Sequence, residues 1–425
     1  MDKLRKSFLI FCAVLTAMFF TNACVLTRTE YVAPENNTVS IETVETDSSL
    51  YDDPVKMLEK TRPSVLEVYA TSNGRSYSAG SGVIFAKDKK EGDAADGKTR
   101  YYILTCHHVI DETSTFAVKD IAGNQYSVEL IGGDPLSDIA VLRMCPQNDG
   151  FDLSKILYSA ENTKGSIAIA NLRVPSSETQ NYLKVGETVY AIGNPLGTLG
   201  GTVTKGIISS TNRKVTVENR VMTLIQTDCA INSGNSGGGL FDGGGNLAGI
   251  VNAGYSGNVE GLNFAIPSDV ALEKAESLVK TYTGKSTDES GGYGYIEGNS
   301  RIIVANENSQ NAPENYDFSV VDYYTTGGGI FGGNTVTSRY PIVYRVTAGS
   351  LFDGKLEKGD KITDVDYDGK TYETVANSSY SGAEVLLSTI GGLDLKAGKK
   401  IIFTVTRNNV SKKIEITLTQ YYYKP

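Results

Sequence analysis

Residues 234–238 read Gly-Asn-Ser-Gly-Gly, and this run constrains the chain more than any other segment. A serine flanked by glycines can stand exposed in a tight backbone bend. The residue two positions before the serine can turn its N–H toward the same point in space. An acyl-transfer nucleophile and its oxyanion hole require this geometry. Because such a run is also common in ordinary loops, a base and an orienting acid must be found elsewhere in the chain.

The base can be sought among only two histidines, His107 and His108, which are adjacent. They follow the apolar, β-prone run 101–106, which predicts a buried strand with a histidine at its tip. Adjacent strand residues point to opposite faces, so we expect at most one imidazole to serve the serine. The alternative is a structural histidine pair.

Two aspartates are candidates for the orienting acid. Asp138 opens the apolar run 139–142, where its carboxylate can be buried against a histidine. Asp134 precedes Pro135 in a turn, where aspartate is common for local reasons. A cap or turn role is the alternative at both positions. The order His, Asp, Ser is the chain order of chymotrypsin-type enzymes.

The chain resembles the Deg/HtrA branch of the chymotrypsin-like serine proteases. The matching segments occur in the family's order, cover roughly residues 54–268, and are 80–84, 104–109, 137–142, 189–197, 202–209, 227–241 and 263–267. This resemblance implies that His108 is the base, Asp138 its orienting acid and Ser236 the nucleophile. It also implies an oxyanion hole formed by the N–H groups of Gly234 and Ser236.

Three residues near the expected site depart from the family's pattern. Cys106 stands where asparagine is usual, His107 where a small residue is usual, and Gly239 where proline usually follows the Gly-Gly pair. None of these changes removes a catalytic group. Gly239 is expected to add backbone freedom just after the nucleophile. Whether the oxyanion hole is preformed or ordered by substrate is therefore left open.

The resemblance also indicates how substrate is held. The strand 249–253 is expected to pair with an extended peptide. Alignment with the family places the floor of the primary specificity pocket near Ala230 and its walls at Val251, Asn252, Ala253, Asn263, Phe264 and Ala265. Because no carboxylate projects at Ala230, we expect cleavage after small or medium aliphatic residues rather than after Lys or Arg.

The predicted fold is mainly β: a chymotrypsin-like double six-stranded β-barrel protease domain over residues 53–282, followed by a PDZ-like α+β domain over 293–420. Strands of the first barrel are predicted at 65–70, 82–85, 101–105, 116–118, 127–131 and 139–142. The second barrel is expected to include separate strands at 201–209 and 214–217. A helix over 268–282 is expected to close the domain, with one face formed by Val270, Leu272, Ala275, Leu278 and Val279. Residues 145–180 form an insertion without an assigned role.

The C-terminal prediction depends on less specific motifs. A helix is expected over 383–390 and two alternating strands over 401–407 and 413–419, joined by a hairpin turn at Asn408-Asn409. Residues 305–340 form an atypical insertion. A loop that resembles a PDZ carboxylate-binding loop consists of Tyr293, Gly294, Tyr295 and Ile296. Such a loop binds the end of a C-terminal peptide with backbone N–H groups, and an ordinary Gly-Tyr turn is the alternative.

The N-terminus indicates export. Residues 1–24 combine an early positive charge with a short apolar stretch, as in a signal peptide. Cys24 directly after Ala23 resembles a bacterial lipoprotein cleavage site; ordinary secretion and an uncleaved anchor are the alternatives. Residues 25–52 are polar and predict a disordered tether. We therefore expect an extracytoplasmic protein of the bacterial cell envelope, attached to the membrane through an N-terminal lipid or anchor.

The net charge and the cysteine content of the chain bear on nucleic-acid binding, disulfides and metal binding. The formal net charge of −9 argues against nucleic acid as a partner. Three cysteines remain in the mature chain, an odd number that favours small buried thiols over a disulfide framework. They are Cys106, Cys145 and Cys229. No His/Cys/Asp cluster has metal-ligand spacing along the chain, so we predict neither a metal nor a cofactor.

The leading functional prediction is a serine endopeptidase that cleaves unfolded or damaged exported proteins. The resemblance implies this quality-control role, a homotrimer, and C-terminal peptides as ligands of the PDZ-like domain. One alternative is a non-catalytic chaperone or peptide-binding protein on a protease scaffold. Another is a regulatory protease dedicated to one membrane-associated substrate.

Overall fold

The computed structural model describes residues 27–30, 39–43, 53–72, 75–88, 98–111, 113–159, 161–173, 183–194, 201–217, 220–254, 261–282, 299, 301, 304–307, 316–328, 334–376 and 381–421. The chain divides into two compact units. One is drawn from residues 1–130, 141–209 and 227–271, and the other from 131–140, 210–226 and 272–425. The strands 125–134 and 139–144 belong to one sheet and the strands 202–217 and 220–227 to another, and these two sheets form the barrels.

The first barrel closes from six strands. Its sheet contains β1 (Thr27–Glu30), β2 (Val39–Thr43), β3 (Val65–Ser72), β4 (Arg75–Asp88), β5 (Tyr101–Cys106), β6 (Thr115–Lys119), β7 (Gln125–Asp134) and β8 (Ile139–Met144). The strand order is β1-β2-β4-β3-β6-β7-β8-β5, and a further pairing of β4 with β5 closes the six strands β3 to β8. All six strands predicted for this barrel are confirmed. Before β3 stand helix α1 (Pro54–Thr61) and a 3₁₀ turn (Arg62–Ser64).

The structure describes two short strands within the segment 25–52, for which a disordered tether is predicted. Strands β1 and β2 pair antiparallel, and β2 pairs with β4. The physical reason lies in the sequence of β2, where Val39, Ile41 and Thr43 alternate at strand spacing. The polar composition of the rest of the segment concealed this short strand.

The second barrel also closes from six strands. Its sheet contains β9 (Asn171–Leu172), β10 (Thr188–Gly193), β11 (Thr202–Val217), β12 (Arg220–Thr227), β13 (Gly239–Asp242), β14 (Asn246–Gly254) and β15 (Asn263–Pro267). The order is β13-β10-β11-β12-β15-β14-β9, with β13 pairing β14 to close the barrel. The separate strands predicted at 201–209 and 214–217 are wrong, since β11 runs through both.

The insertion at 145–180 joins the two barrels. Its described part begins with a 3₁₀ turn (Pro146–Asp149) and a single helical turn (Leu153–Ile156). The Ala168 and Ala170 N–H groups then donate to the carbonyls of Pro63 and Ile84 in the first barrel, at 2.9 and 2.8 Å. The next two residues form β9, which runs parallel to β14 of the second barrel.

A buried carboxylate anchors this insertion. Asp120 is 2 % exposed and accepts hydrogen bonds from the hydroxyls of Tyr126 and Ser166, both at 2.6 Å. It also accepts from the Asn124 backbone and side chain. Burial, followed by the hydrogen bond to Asp120 and then by its charge, raises the pKa of the Tyr126 hydroxyl. Ser166 thereby fixes the insertion to the β6–β7 turn.

The C-terminal unit holds a third, curled sheet. Its strands are β16 (Val304–Asn306), β17 (Phe318–Gly328), β18 (Asn334–Val346), β19 (Lys361–Tyr367), β20 (Lys370–Glu373), β21 (Lys400–Arg407) and β22 (Val410–Thr417). Their order is β16-β17-β18-β19-β21-β22, with β20 on β19. The core contains the rings of Phe318, Phe352 and Phe403, with centroids 4.8–5.9 Å apart.

The predicted C-terminal elements are present. A helix spans Gly382–Gly391 and buries Leu386 and Ile390 in this core. Strands β21 and β22 meet at Asn408 and Asn409, whose φ angles of 53° and 62° match a type I′ hairpin turn. The atypical insertion at 305–340 supplies β17 and about half of β18, which pair as a long antiparallel hairpin.

A helix over Ser268–Thr281 follows β15, as predicted. Its buried apolar residues are Ala271, Ala275, Leu278 and Val279, which recur at helical spacing. Val270, expected on the same face, is 37 % exposed. No helix in the described part of the chain is long and apolar enough to cross a membrane.

Candidate active site

The loop before β13 carries Ser236 between two residues in the left-handed region. Gly234 and Gly237 have φ angles of 97° and 84°. A Cβ atom at Gly237 would lie 2.1 Å from the Ser81 carbonyl oxygen, so a side chain is sterically excluded there. The Gly237 N–H donates to the Val251 carbonyl at 2.8 Å. Ser236 itself is partly exposed, while its neighbours Asn235 and Gly237 are buried.

Ser81, on β4 of the first barrel, holds this loop from the other side. Its N–H donates to the Ser236 carbonyl at 2.8 Å, and its hydroxyl donates to the Gly234 carbonyl at 2.7 Å. The same hydroxyl accepts from the Asn194 N–H at 2.8 Å. Ser81 is fully buried. Sequence reasoning missed this residue, whose only signal was its place in the motif 80–84.

The two histidines lie just beyond the end of β5. Rather than occupying a strand tip, they begin the single helical turn His107–Ile110. The prediction that they point to opposite faces of a strand is therefore wrong, because the turn separates their side chains instead. His107 is 4 % exposed, whereas His108 is partly exposed.

Asp138 lies next to His108. It directly precedes β8, is 1 % exposed, and has a φ angle of 55°. A non-glycine residue in the left-handed region costs free energy, and such residues cluster at functional sites. One side-chain atom each of Cys106, His108 and Asp138, namely the thiol sulfur, an imidazole nitrogen and a carboxylate oxygen, all lie within 4.8 Å of one another. A buried carboxylate, an imidazole and a thiol thus meet at one point, although 30 residues separate His108 from Asp138 along the chain.

The other candidate acid, Asp134, is occupied by its own turn. Its carboxylate accepts from the backbone N–H groups of Leu136 and Ser137, both at 3.2 Å. It also accepts from the Ser137 hydroxyl at 2.6 Å. These contacts are those of a local turn. Of the two aspartates, the structure brings Asp138 to the imidazole.

The Ser236 hydroxyl donates to the backbone carbonyl of Asn252 at 2.9 Å. Asn252 lies at the bulge in β14, between the register pairs Val251–Ala265 and Ala253–Phe264. The hydroxyl proton is thus directed to the backbone of β14.

The predicted pocket residues differ in how far their side chains are exposed. Ala230 is exposed, and its carbonyl accepts from the Thr204 hydroxyl at 2.9 Å. Val251 and Ala265 are fully buried, so only their backbone can face a substrate. The Asn263 side chain is also buried and donates to the Cys229 carbonyl at 2.7 Å. Asn263 thus braces the segment that leads to Ser236.

Gly239, which is expected to add backbone freedom after Ser236, lies in a paired strand. It is the first residue of β13 and pairs with Ile192 on β10 and Ile250 on β14. A Cβ atom there would lie 2.2 Å from the Phe241 ring. Gly239 thus lies between two paired strands and close to an aromatic ring.

Two predicted sites lie outside the described residues: the loop Tyr293, Gly294, Tyr295 and Ile296, and the lipidation candidate Cys24. The three described cysteines, Cys106, Cys145 and Cys229, are buried thiols outside any disulfide, as predicted. Spacing along the chain gave no sign of a possible metal-ligand cluster. Folding brings Cys106 into one with His108 and Asp138.

Comparison with known proteins agrees with this architecture. Residues 80–250 match the family model of the trypsin-like peptidase domain. The chain is 31 % identical over 392 residues to the serine protease Do-like HtrB of Bacillus subtilis, covering 88 % of this chain and 72 % of that protein. It is 38 % identical over 205 residues to the periplasmic serine endoprotease DegP of Salmonella typhimurium, covering 47 % of this chain and 36 % of that protein.

Among solved structures, an HtrA-type protease AlgW with a tripeptide aligns with a TM-score of 0.45 and 27 % identity, over 88 % of this chain and 98 % of that one. The sequence relationship to HtrB is long enough to decide the family. The chain therefore belongs to the Do-like HtrA family of serine proteases and is a trypsin-like serine endopeptidase.

Proposed function

We propose that Ser236, His108 and Asp138 are the catalytic triad. The observation that carries the proposal is the approach of the His108 imidazole to the buried Asp138 carboxylate within 4.8 Å. Asp138 holds the tautomer of His108 and stabilises its cation. His108 takes the Ser236 proton as the hydroxyl attacks a peptide carbonyl, and it later gives that proton to the leaving amine.

The N–H groups of Gly234 and Ser236 hold the oxyanion. The bonds from Ser81 to the carbonyls of both residues support this assignment, because they fix the peptide planes on either side of Asn235. Such fixed donors stabilise a developing charge without reorganising during the reaction. The catalytic cycle then begins when the Ser236 hydroxyl turns from the Asn252 carbonyl to His108.

Substrate binds as an extended strand beside β14, close to Ser236. This mode requires a flexible or unfolded polypeptide, which fits damaged exported proteins as the substrate class. The carboxylate nearest Ala230 in sequence, that of Asp228, accepts from the Ile207 N–H at 2.6 Å. Because this carboxylate already accepts a hydrogen bond from the backbone of β11, it does not serve as the partner of a Lys or Arg side chain of the substrate. This supports cleavage after small or medium aliphatic residues.

The C-terminal unit serves as a PDZ-like peptide-binding domain, and the enzyme acts as a homotrimer in the cell envelope. The curled sheet with its single packed helix supports the first assignment. Periplasmic relatives such as the Salmonella DegP support an extracytoplasmic location. Cys24 after Ala23 supports attachment through an N-terminal lipid.

The decisive experiment compares wild-type protein with Ser236→Ala in casein degradation, with aliphatic and Lys/Arg cleavage sites mapped by mass spectrometry. We expect loss of at least roughly 10³-fold in the variant, since the nucleophile is removed. The His108→Ala variant serves as a second test of the same unit and should lose a similar factor. Equal cleavage by wild type and Ser236→Ala would exclude this triad, and dominant Lys/Arg cleavage would exclude the proposed pocket.

A further inference from the structure

We propose that Cys106, His108 and Asp138 form a binding site for a thiophilic divalent cation of the Zn²⁺ class, and that the bound cation inhibits the enzyme. The site consists of one thiol, one imidazole and one carboxylate at the end of β5 and the start of β8. The binding rests on these three groups alone. The inhibition rests on the proposed catalytic function of His108 and Asp138.

The distances suit a small tetrahedral ion. The candidate ligand atoms lie within 4.8 Å of one another. Zinc bonds of about 2.0–2.3 Å place ligand atoms roughly 3.5 Å apart in tetrahedral geometry. Closing the cluster therefore requires movements of about 1 Å, which small side-chain rotations supply. The backbone of the barrel can stay in place.

The donor set selects among cations. Thiolate, imidazole and carboxylate are the three zinc ligand types, and three protein ligands leave a fourth position for water. A thiolate disfavours Mg²⁺ and Ca²⁺, which prefer oxygen ligands. Binding requires Cys106 to release its proton to solvent. The thiol donates to the Val251 carbonyl at 3.3 Å, and because a thiol is a weak donor this contact costs little to exchange for a metal bond.

The position of His108 determines both how an ion reaches the cluster and how its binding affects catalysis. Cys106 and Asp138 are 0 % and 1 % exposed, whereas His108 is partly exposed, so an ion reaches the cluster from the His108 side. A ring nitrogen that binds the ion and a carboxylate that binds it too are both withdrawn from proton transfer to and from Ser236. The ion thus competes with catalysis without touching the nucleophile.

The test begins with binding to the purified full-length protein. Titration with Zn²⁺ by calorimetry should give one site per chain, and titration with Co²⁺ should give the near-ultraviolet charge-transfer band of a thiolate ligand. Cys106→Ser should weaken Zn²⁺ binding by about tenfold or more and abolish that band. Cys145→Ser, which removes another buried thiol, is the matched control and should bind as wild type does. Circular dichroism of each variant checks that it is folded.

The second part of the test measures casein cleavage in the presence of Zn²⁺. Zn²⁺ should inhibit casein cleavage by wild type and Cys145→Ser, while Cys106→Ser should resist it over the same concentration range. Equal Zn²⁺ affinity in folded Cys106→Ser and wild type, or a Co²⁺ complex without the thiolate band, would overturn the proposal. Ser236→Ala should keep full Zn²⁺ binding. A wild type that binds Zn²⁺ through Cys106 but cleaves nothing would refute the proposed function and leave the metal site standing.

Discussion

At the scale of single residues, Ser81 has the clearest structural role outside the proposed triad. Its hydroxyl both donates to the Gly234 carbonyl and accepts from the Asn194 N–H, and its own N–H donates to Ser236. A buried hydroxyl removed from such a pair leaves two backbone groups without this partner. Ser81 therefore fixes the loop that carries Ser236 to a strand of the first barrel.

Ser81→Ala is predicted to lower kcat/KM on a peptide substrate by about 10- to 100-fold, because the oxyanion loop loses one of its fixed contacts. The free energy of unfolding should fall by about 1–3 kcal/mol. Steady-state kinetics and urea unfolding measure the two effects. Ser78→Ala, on the same strand but only partly buried, is the control and should change neither quantity appreciably. Unchanged kinetics in a stable Ser81→Ala protein would refute the positioning role.

Substitution of the two aspartates near β8 by asparagine is predicted to affect different properties: activity at Asp138 and stability at Asp134. Asp138→Asn should reduce kcat by about 10⁴-fold with little change in KM, because an amide favours the wrong histidine tautomer. Asp134→Asn should keep its activity and lower the melting temperature, because the Asp134 carboxylate bonds only to its own turn among the contacts described here. Activity lost equally in both variants would contradict the assignment of Asp138 as the orienting acid.

The sequence allowed prediction of residues whose chemistry is unusual in itself. Ser236 lies in a distinctive glycine run, and with two histidines in the chain the candidates for the base were few. Ser81 and Cys106 could not be assigned in this way. Ser81 bonds to Gly234, and Cys106 lies near Asp138, but these partners are distant in sequence, and neither a serine nor a cysteine indicates such a partner.

At the scale of elements, strands with regular alternation and clear turns were predictable, and exceptions have physical causes. Each predicted strand of the first barrel lies within an observed one. In the second barrel, β11 continues through Ser210–Arg213, where polar residues suggested a break, because the long strand pairs first with β10 and then with β12. Strand pairing there overrides the weak propensity of the polar residues.

The helix Ser268–Thr281 carries a titrating group that should make stability depend on pH. Burial, followed by the charge of Glu273, raises the pKa of the Glu276 carboxyl from 4.5 to about 7. Between these pH values the Glu276 carboxyl binds more protons in the folded state than in the unfolded state. Its contribution to the free energy of unfolding is therefore fully present below pH 4.5 and is lost as pH rises through 7. After allowance for solvent screening, the loss is about 1–2 kcal/mol.

Glu276→Gln should remove this dependence, since the amide imitates the protonated acid. Urea unfolding at pH 5 and pH 8 is predicted to show a smaller difference in the variant than in wild type, with the variant more stable at pH 8. Glu273→Gln should give an intermediate result, because it removes only the second cause of the shift. A variant that loses as much stability as wild type between the two pH values would contradict the raised pKa.

At the scale of the whole molecule, the mainly β architecture with two closed barrels was predictable because its motifs occur in a specific order along the chain. The insertions were not, since they carry no such motifs. Residues 161–173 connect the barrels through backbone bonds and the Ser166–Asp120 contact, and β17 and β18 extend the C-terminal sheet as a long hairpin. Backbone pairing of this kind leaves little trace in side-chain sequence.

If the C-terminal unit binds peptides as a PDZ-like domain, activity should respond to the carboxylate of a free peptide. A hydrophobic peptide with a free C-terminus is predicted to raise the initial rate of casein cleavage by wild type severalfold, because a carboxylate is bound by convergent backbone N–H groups. The same peptide with a C-terminal amide is the matched control, since it keeps the side chains and removes the charge. Equal stimulation by both peptides would show that the carboxylate is not recognised. No response to either would remove peptide regulation from this enzyme and leave the triad responsible for its activity.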